Sequence, residues 1–214
     1  AAIKSHRNSI GIELTDRFYN VAVEAIEEET ASQQLSLFSH ENELGNYKLF
    51  KGDCSEVLKE ISDNNVQLTV TSPPYADLIH KVVEDRTLRH KNSAFVSDNN
   101  ATTNLYSDDE RDLGNMPMDV YIKKVEFIMR ELYRVTKPGG YNVWVVKDFR
   151  DTKNKIPYVD LHSKIVDAGQ KAGFKYHDLI IWDQNQHRKL VLLGYPSVFY
   201  VNQNHSFIVV LRKI

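Results

Sequence analysis

Apolar residues recur along this chain with two periods. Three- and four-residue spacing runs through residues 16–29 (Phe18, Val21, Ala22, Ala25, Ile26), 119–135 (Val120, Val125, Phe127, Ile128, Leu132, Val135) and 159–172. That spacing predicts amphipathic helices, the first capped by Thr15. Short runs rich in β-branched and aromatic residues predict strands at 9–14, 47–50, 66–71, 141–146, 174–182 and 207–211, with a short helix over 55–61. Residues 30–46 and 76–118 are polar and read as loops, the second long enough to be an insertion. Pro138-Gly139-Gly140 reads as the stop of the third long helix.

Strands alternating with helices predict an α/β protein, a three-layer sandwich around a mostly parallel sheet. Residues 185–196 are too few and too irregular for a crossover helix. The last two strands are therefore expected to pair antiparallel at one edge. The whole of 1–214 reads as one domain, without internal repeats or low-complexity tracts.

Composition narrows the function classes. A formal net charge of −2 gives no global attraction to nucleic acid, so any such contact rests on local patches. A single cysteine, Cys54, excludes an internal disulfide and a cysteine-based zinc site, and suits a reducing cytoplasm. No metal site is expected. No apolar run reaches membrane-spanning length.

The sharpest local signal is Ser72-Pro73-Pro74-Tyr75, directly after the apolar run 66–71. Two prolines end a strand abruptly, because neither can donate to a ladder and each fixes φ. They leave a stiff corner with a hydroxyl, carbonyls without competing N–H groups, and an aromatic ring. Such a corner suits a flat group bearing an amino donor, and open α/β sheets bind ligands at the carboxyl ends of their strands. In isolation Pro-Pro-Tyr is also a rigid turn or a proline-rich recognition motif.

In order along the chain, Ile10-Gly11-Ile12-Glu13, Gly52-Asp53-Cys54, Ser72-Pro73-Pro74-Tyr75, Lys137-Pro138-Gly139-Gly140, Gly194-Tyr195-Pro196-Ser197 and Asn204-His205 resemble the amino-group DNA methyltransferases. The resemblance covers almost the whole chain. It implies a class I methyltransferase sheet, S-adenosylmethionine as cofactor and double-stranded DNA as partner. It also implies a place in a modification or restriction-modification system. Ser72, Pro73, Pro74 and Tyr75 would form the catalytic corner. Glu13 would accept the ribose hydroxyls and Asp53 the adenine amino group, with Cys54 and Thr71 beside them. Glu13 is also an ordinary acid before a helix, and Asp53 a turn former. Serine at the first motif position resembles the N4-cytosine group; N6-adenine is the alternative, and a non-catalytic DNA-binding subunit is the rival class.

Contacts to DNA are expected from Lys81, Arg86, Arg89 and Lys91 in the long polar stretch, and from Arg188 and Lys189 beside Gln184-Asn185-Gln186. Asp148 either lines the pocket or caps a helix, and His162 reads as a packed helical residue. The glycine-rich loop of such folds should precede Glu13 by about twenty residues, by analogy with Rossmann spacing. None of the nine glycines forms G-x-G, and the chain opens Ala1-Ala2-Ile3. The first strand and this loop are accordingly expected from an upstream segment or a second chain.

Overall fold

The computed structural model describes residues 2–34, 45–76, 107–151, 154–186, 192–193, 199–201 and 203–214. The chain divides into two compact units, Ala1–Glu60 and Ile61–Ile214.

The first unit is built on two parallel strands, β1 (Ser9–Glu13) and β2 (Tyr47–Lys51), in register from Ser9↔Tyr47 to Glu13↔Lys51. Between them runs helix α1 (Asp16–Gln34), and α2 (Cys54–Glu60) follows β2. Thr15 caps α1 as its sequence predicts, its hydroxyl accepting from the Phe18 amide at 3.4 Å. The helix overruns the expected loop at residues 30–34. Thr30 turns its hydroxyl back onto the Ile26 carbonyl at 2.7 Å, and Ala31, Gln33 and Gln34 all tolerate a helix.

The second unit holds a four-stranded sheet in the order β3-β4-β10-β7: β3 (Val66–Thr71), β4 (Thr136–Val146), β10 (His205–Arg212) and β7 (Lys175–Asp183). β3 and β4 are parallel, while β10 is antiparallel to both neighbours. The expected antiparallel pair is thus present at one side, with β7 outermost. Helices α3 (Met118–Val135) and α4 (Leu161–Ala172) cover one face. Their apolar stripes (Tyr121, Val125, Ile128, Met129, Leu132, Val135; Leu161, Ile165, Val166, Ala168) bury against Trp144, Val146, Val209 and Leu211. Full burial of side chains this size is worth roughly 1.5–3 kcal/mol each, so this face is the core of the unit. On the opposite face Leu68, Val70 and Ile180 are half or more exposed.

Lys137-Pro138-Gly139-Gly140 is not a connecting stop. α3 ends at Val135 and β4 begins at the next residue, because Thr136 closes the helix with both its amide and its hydroxyl on the Leu132 carbonyl. The four residues form a bulge inside β4, where the ladder passes from Val66↔Thr136 to Leu68↔Tyr141. Gly139 takes φ 78°, and a Cβ on Gly140 would stand 2.8 Å from the Gln67 carbonyl oxygen. Glycine is required at both positions for different reasons, one conformational and one steric. A two-stranded ribbon, β5 (Phe149–Asp151) and β6 (Ile156–Val159), follows β4, and β8 (Leu192–Leu193) pairs with β9 (Tyr200–Val201). Among the described residues no helix is long and apolar enough to cross a membrane.

Candidate active site

The proline corner leaves the carboxyl end of β3, beside the parallel strand β4 (Thr71↔Trp144). Thr71 is half-buried, Ser72 exposed, Pro73 buried, and Pro74 and Tyr75 half-buried. Ser72 is therefore open to solvent and Tyr75 partly so, while buried Pro73 anchors the turn. Ala76, fully buried, adopts φ 48°. That left-handed conformation costs an alanine about 1–2 kcal/mol, and strain of this kind persists only where the surroundings enforce it.

Tyr121, in the first turn of α3, belongs with this corner. It is fully buried, and its hydroxyl has no hydrogen-bond partner among the described residues. Burial first, and then the phenol of Tyr75, push its pKa up. The sequence carried a faint signal for it: a residue with a polar tip standing four before Val125 on the apolar stripe. A cleft of about 450 Å³ opens beside the start of α3, lined by Ser107, Asp108, Glu110, Asn115, Met116, Pro117 and Val120. Its two acids make it unsuited to phosphate.

In the first unit, Glu13 closes β1 and Asp53 lies just past β2. The Gly52 amide donates to the Glu13 carbonyl at 2.9 Å, which draws the Gly52-Asp53 turn across the end of β1. Asp53 caps α2 through the Ser55 amide at 2.8 Å, so the turn-forming role and a position at a strand end coincide. Glu13 is half-buried with no side-chain partner among the described residues, and burial pushes its carboxyl up. Cys54 opens α2. The structure thus brings Glu13, Asp53 and Cys54 together in one unit. Thr71 and the Ser72–Tyr75 corner stand in the other.

Asp148, two residues past β4, is buried at the same end of the sheet as the corner. One oxygen accepts from the His162 amide at 3.0 Å. The other accepts from the Tyr158 hydroxyl at 3.0 Å and lies 2.8 Å from His162 Nδ1. His162 Nδ1 is also 2.9 Å from Asp160, and its ring stacks on Phe207 with centroids 4.1 Å apart. Asp148, Asp160 and His162 form a ligand-type cluster, but their atoms are already engaged with one another at hydrogen-bond distance. Of the two alternatives for Asp148, the structure shows the one at the helix, since its carboxylate accepts from the His162 amide in the first turn of α4. His162 is packed as expected and also bonded to two acids.

The cations expected to meet DNA, Lys81, Arg86, Arg89, Lys91, Arg188 and Lys189, lie outside the described residues. Gln184, from the neighbouring amide cluster, is turned to Lys147 and Ser206.

The sequence profile described as DNA methylase matches residues 66–214. The type II beta methyltransferase M.BslI of a Bacillus species is 29% identical over 152 residues, covering 68% of this chain and 13% of its own. The type II methyltransferase M.MjaI of Methanocaldococcus jannaschii is 27% identical over 184 residues, covering 78% of this chain and 56% of its own. The chain therefore spans less than two thirds of the length of either relative. A Thermus thermophilus protein described as a DNA modification methylase, complexed with S-adenosyl-L-methionine, is 24% identical, with a TM-score of 0.47 over 76% of this chain and 51% of its own.

Proposed function

The chain belongs to the DNA methylase family, and on that premise we propose that it transfers a methyl group from S-adenosylmethionine to an exocyclic amino group of a base in DNA, cytosine N4 before adenine N6. The single observation that carries the reading is an exposed Ser72 and a half-buried Tyr75 at the carboxyl end of a sheet strand, on a corner anchored by buried Pro73.

An exocyclic amine is a weak nucleophile because its lone pair is delocalised into the ring. In this reading the Ser72 hydroxyl and the Pro73 carbonyl accept its two hydrogens. They orient the lone pair and meet the positive charge that develops on nitrogen. Pro74 keeps the corner stiff, and Tyr75 stacks on the base, which must leave the duplex to be reached. The chain's acids fit the cofactor: Glu13, half-buried and unpartnered among the described residues, suits a diol, and Asp53 at the neighbouring strand end suits an amine donor. Cys54 and Thr71 complete the proposed cofactor-side set. When bound, the cofactor supplies an electrophilic methyl group on a sulfonium. Serine at the head of the motif supports cytosine.

Transfer of labelled methyl groups to DNA tests the activity, and mass spectrometry of digested product tests the base. N4-methylcytosine is the expected product. N6-methyladenine alone overturns the choice of base, and no transfer overturns the catalytic reading.

A further inference from the structure

The ribbon β5–β6 sorts its charges by side. Phe149 pairs with Val159 on the buried face of the ribbon, and both acids of the segment turn inward. Asp148 is held by Tyr158 and His162, and Asp151, 5% exposed, accepts from the Asn154 amide at 3.1 Å and its side-chain amide at 2.8 Å. The outward positions carry cations and apolar surface. Lys155 is exposed near the tip, Ile156 and Tyr158 are each 43% exposed, and the Arg150 guanidinium lies 5.7 Å from the Tyr158 ring centroid. Arg150 Nη1 donates to the Pro157 carbonyl at 2.8 Å, which holds the guanidinium against the ribbon. Gln203 donates to the Tyr158 hydroxyl at 2.7 Å. Asp160, the residue after β6, is bound to His162 and to the Ser163 amide.

A two-stranded element with Asp148 and Asp151 buried and with Lys155 exposed suits the negative charge of duplex DNA, whose major groove admits a β-ribbon. It leaves β4 at the end of the sheet where β3 carries the proline corner. We propose that the β5–β6 ribbon is a contact for the phosphate backbone of duplex DNA next to the extruded nucleotide, with Lys155 and Arg150 facing phosphates and Tyr158 and Ile156 resting on sugar. This rests on the reading of DNA as substrate, and it adds a binding element that the sequence did not single out.

The test measures binding of the intact protein to a labelled duplex of mixed sequence across a salt series, alongside methyl transfer. Lys155 has φ 57°, so Lys155→Gly removes the cation while suiting the backbone. Each phosphate left without its cation lowers the slope of log affinity against log salt by about 1, so the slope falls by about one in Lys155→Gly and by about two when Arg150→Ala is added. The Michaelis constant for DNA rises accordingly, with kcat at saturating DNA unchanged. Lys164→Ala, an exposed cation on α4, is the control and leaves the slope alone. Unchanged slopes in both ribbon variants, with transfer to DNA intact, overturn the ribbon and spare the proposed function. So does an unchanged slope accompanied by loss of self-association, which assigns the ribbon to a protein contact. A wild-type protein that neither binds nor methylates DNA overturns both.

Discussion

Replacing Asp148 with asparagine tests how much of the carboxyl end of the sheet hangs on one buried group. The carboxylate receives three donors, the Tyr158 hydroxyl, the His162 amide and His162 Nδ1, at 2.8 to 3.0 Å with its side chain out of solvent. Asparagine keeps the shape, but its amino group faces donors, and its single oxygen can serve only part of the set. A hydrogen bond to a charged group contributes roughly 1.5–3 kcal/mol, and a buried donor left unmet costs about 1–3 kcal/mol. Allowing for partial relaxation, Asp148→Asn should lose about 2–4 kcal/mol. For a chain of this size that lowers the thermal midpoint by roughly 5–15 °C. Circular dichroism melts of the two proteins at neutral pH measure it. Equal midpoints for wild type and Asp148→Asn would refute the reasoning, since the network would then hold nothing together.

Ser72→Ala should lower kcat for methyl transfer on the order of a hundredfold or more with cofactor affinity unchanged, as read by single-turnover transfer and calorimetry. Tyr75→Ala should weaken binding of the extruded base by roughly 1–3 kcal/mol and spare the cofactor; loss of cofactor binding instead would show that the roles are misassigned. Tyr121→Phe removes a buried hydroxyl that has no partner among the described residues, and should raise stability by roughly 1–3 kcal/mol in denaturant titrations. Glu13 carries a pH prediction with two signs. Burial raises its carboxyl, so affinity for a ribose diol is present above that raised pKa and is lost as pH falls through it. The same shift means that the folded protein holds the proton more tightly than the unfolded chain, so this group opposes folding at neutral pH and ceases to do so on acidification. Calorimetric titration of cofactor across the acid range, with Glu13→Gln as the flat reference, checks the first sign.

Most of the framework was legible because its signals are local. The 3.6-residue stripe of α3, the Thr15 cap and the β-branched run of β3 each declare themselves within a few residues, and the structure keeps them. One error arose where distant parts decide. Pro138-Gly139-Gly140 looks like a helix stop, yet the Leu132 carbonyl and the C-terminal Lys213, whose carbonyl accepts from Gly139, draw it into a strand. Residues 30–34 were a local misreading: they looked like loop because the stretch is polar, and the Thr30 hydroxyl donates to the Ile26 carbonyl within a continuing helix. At the candidate site the proline corner was visible as a motif. Its neighbours, Tyr121 from far along the chain and Ala76 through a backbone angle, were not, since only a faint apolar-stripe signal pointed to the first and no local pattern encodes the second.

Among the described residues β3 pairs with β4 alone. Strands held on one side open more readily than strands held on both, and amide exchange reads this as a low local opening free energy. Under the proposed function the chemistry hangs from a strand whose described ladder lies on one side, and Pro73 and Pro74, which have no N–H to offer, cannot lengthen that ladder. A slow-exchanging sheet interior at Val143, Val209 and Val210, with faster exchange along Gln67–Thr71, would mark a boundary between a durable platform and a reactive margin. On that margin a small change in pairing moves the Ser72 hydroxyl before it disturbs the core, so under the proposed function β3 is where substitutions retune the rate without unmaking the fold.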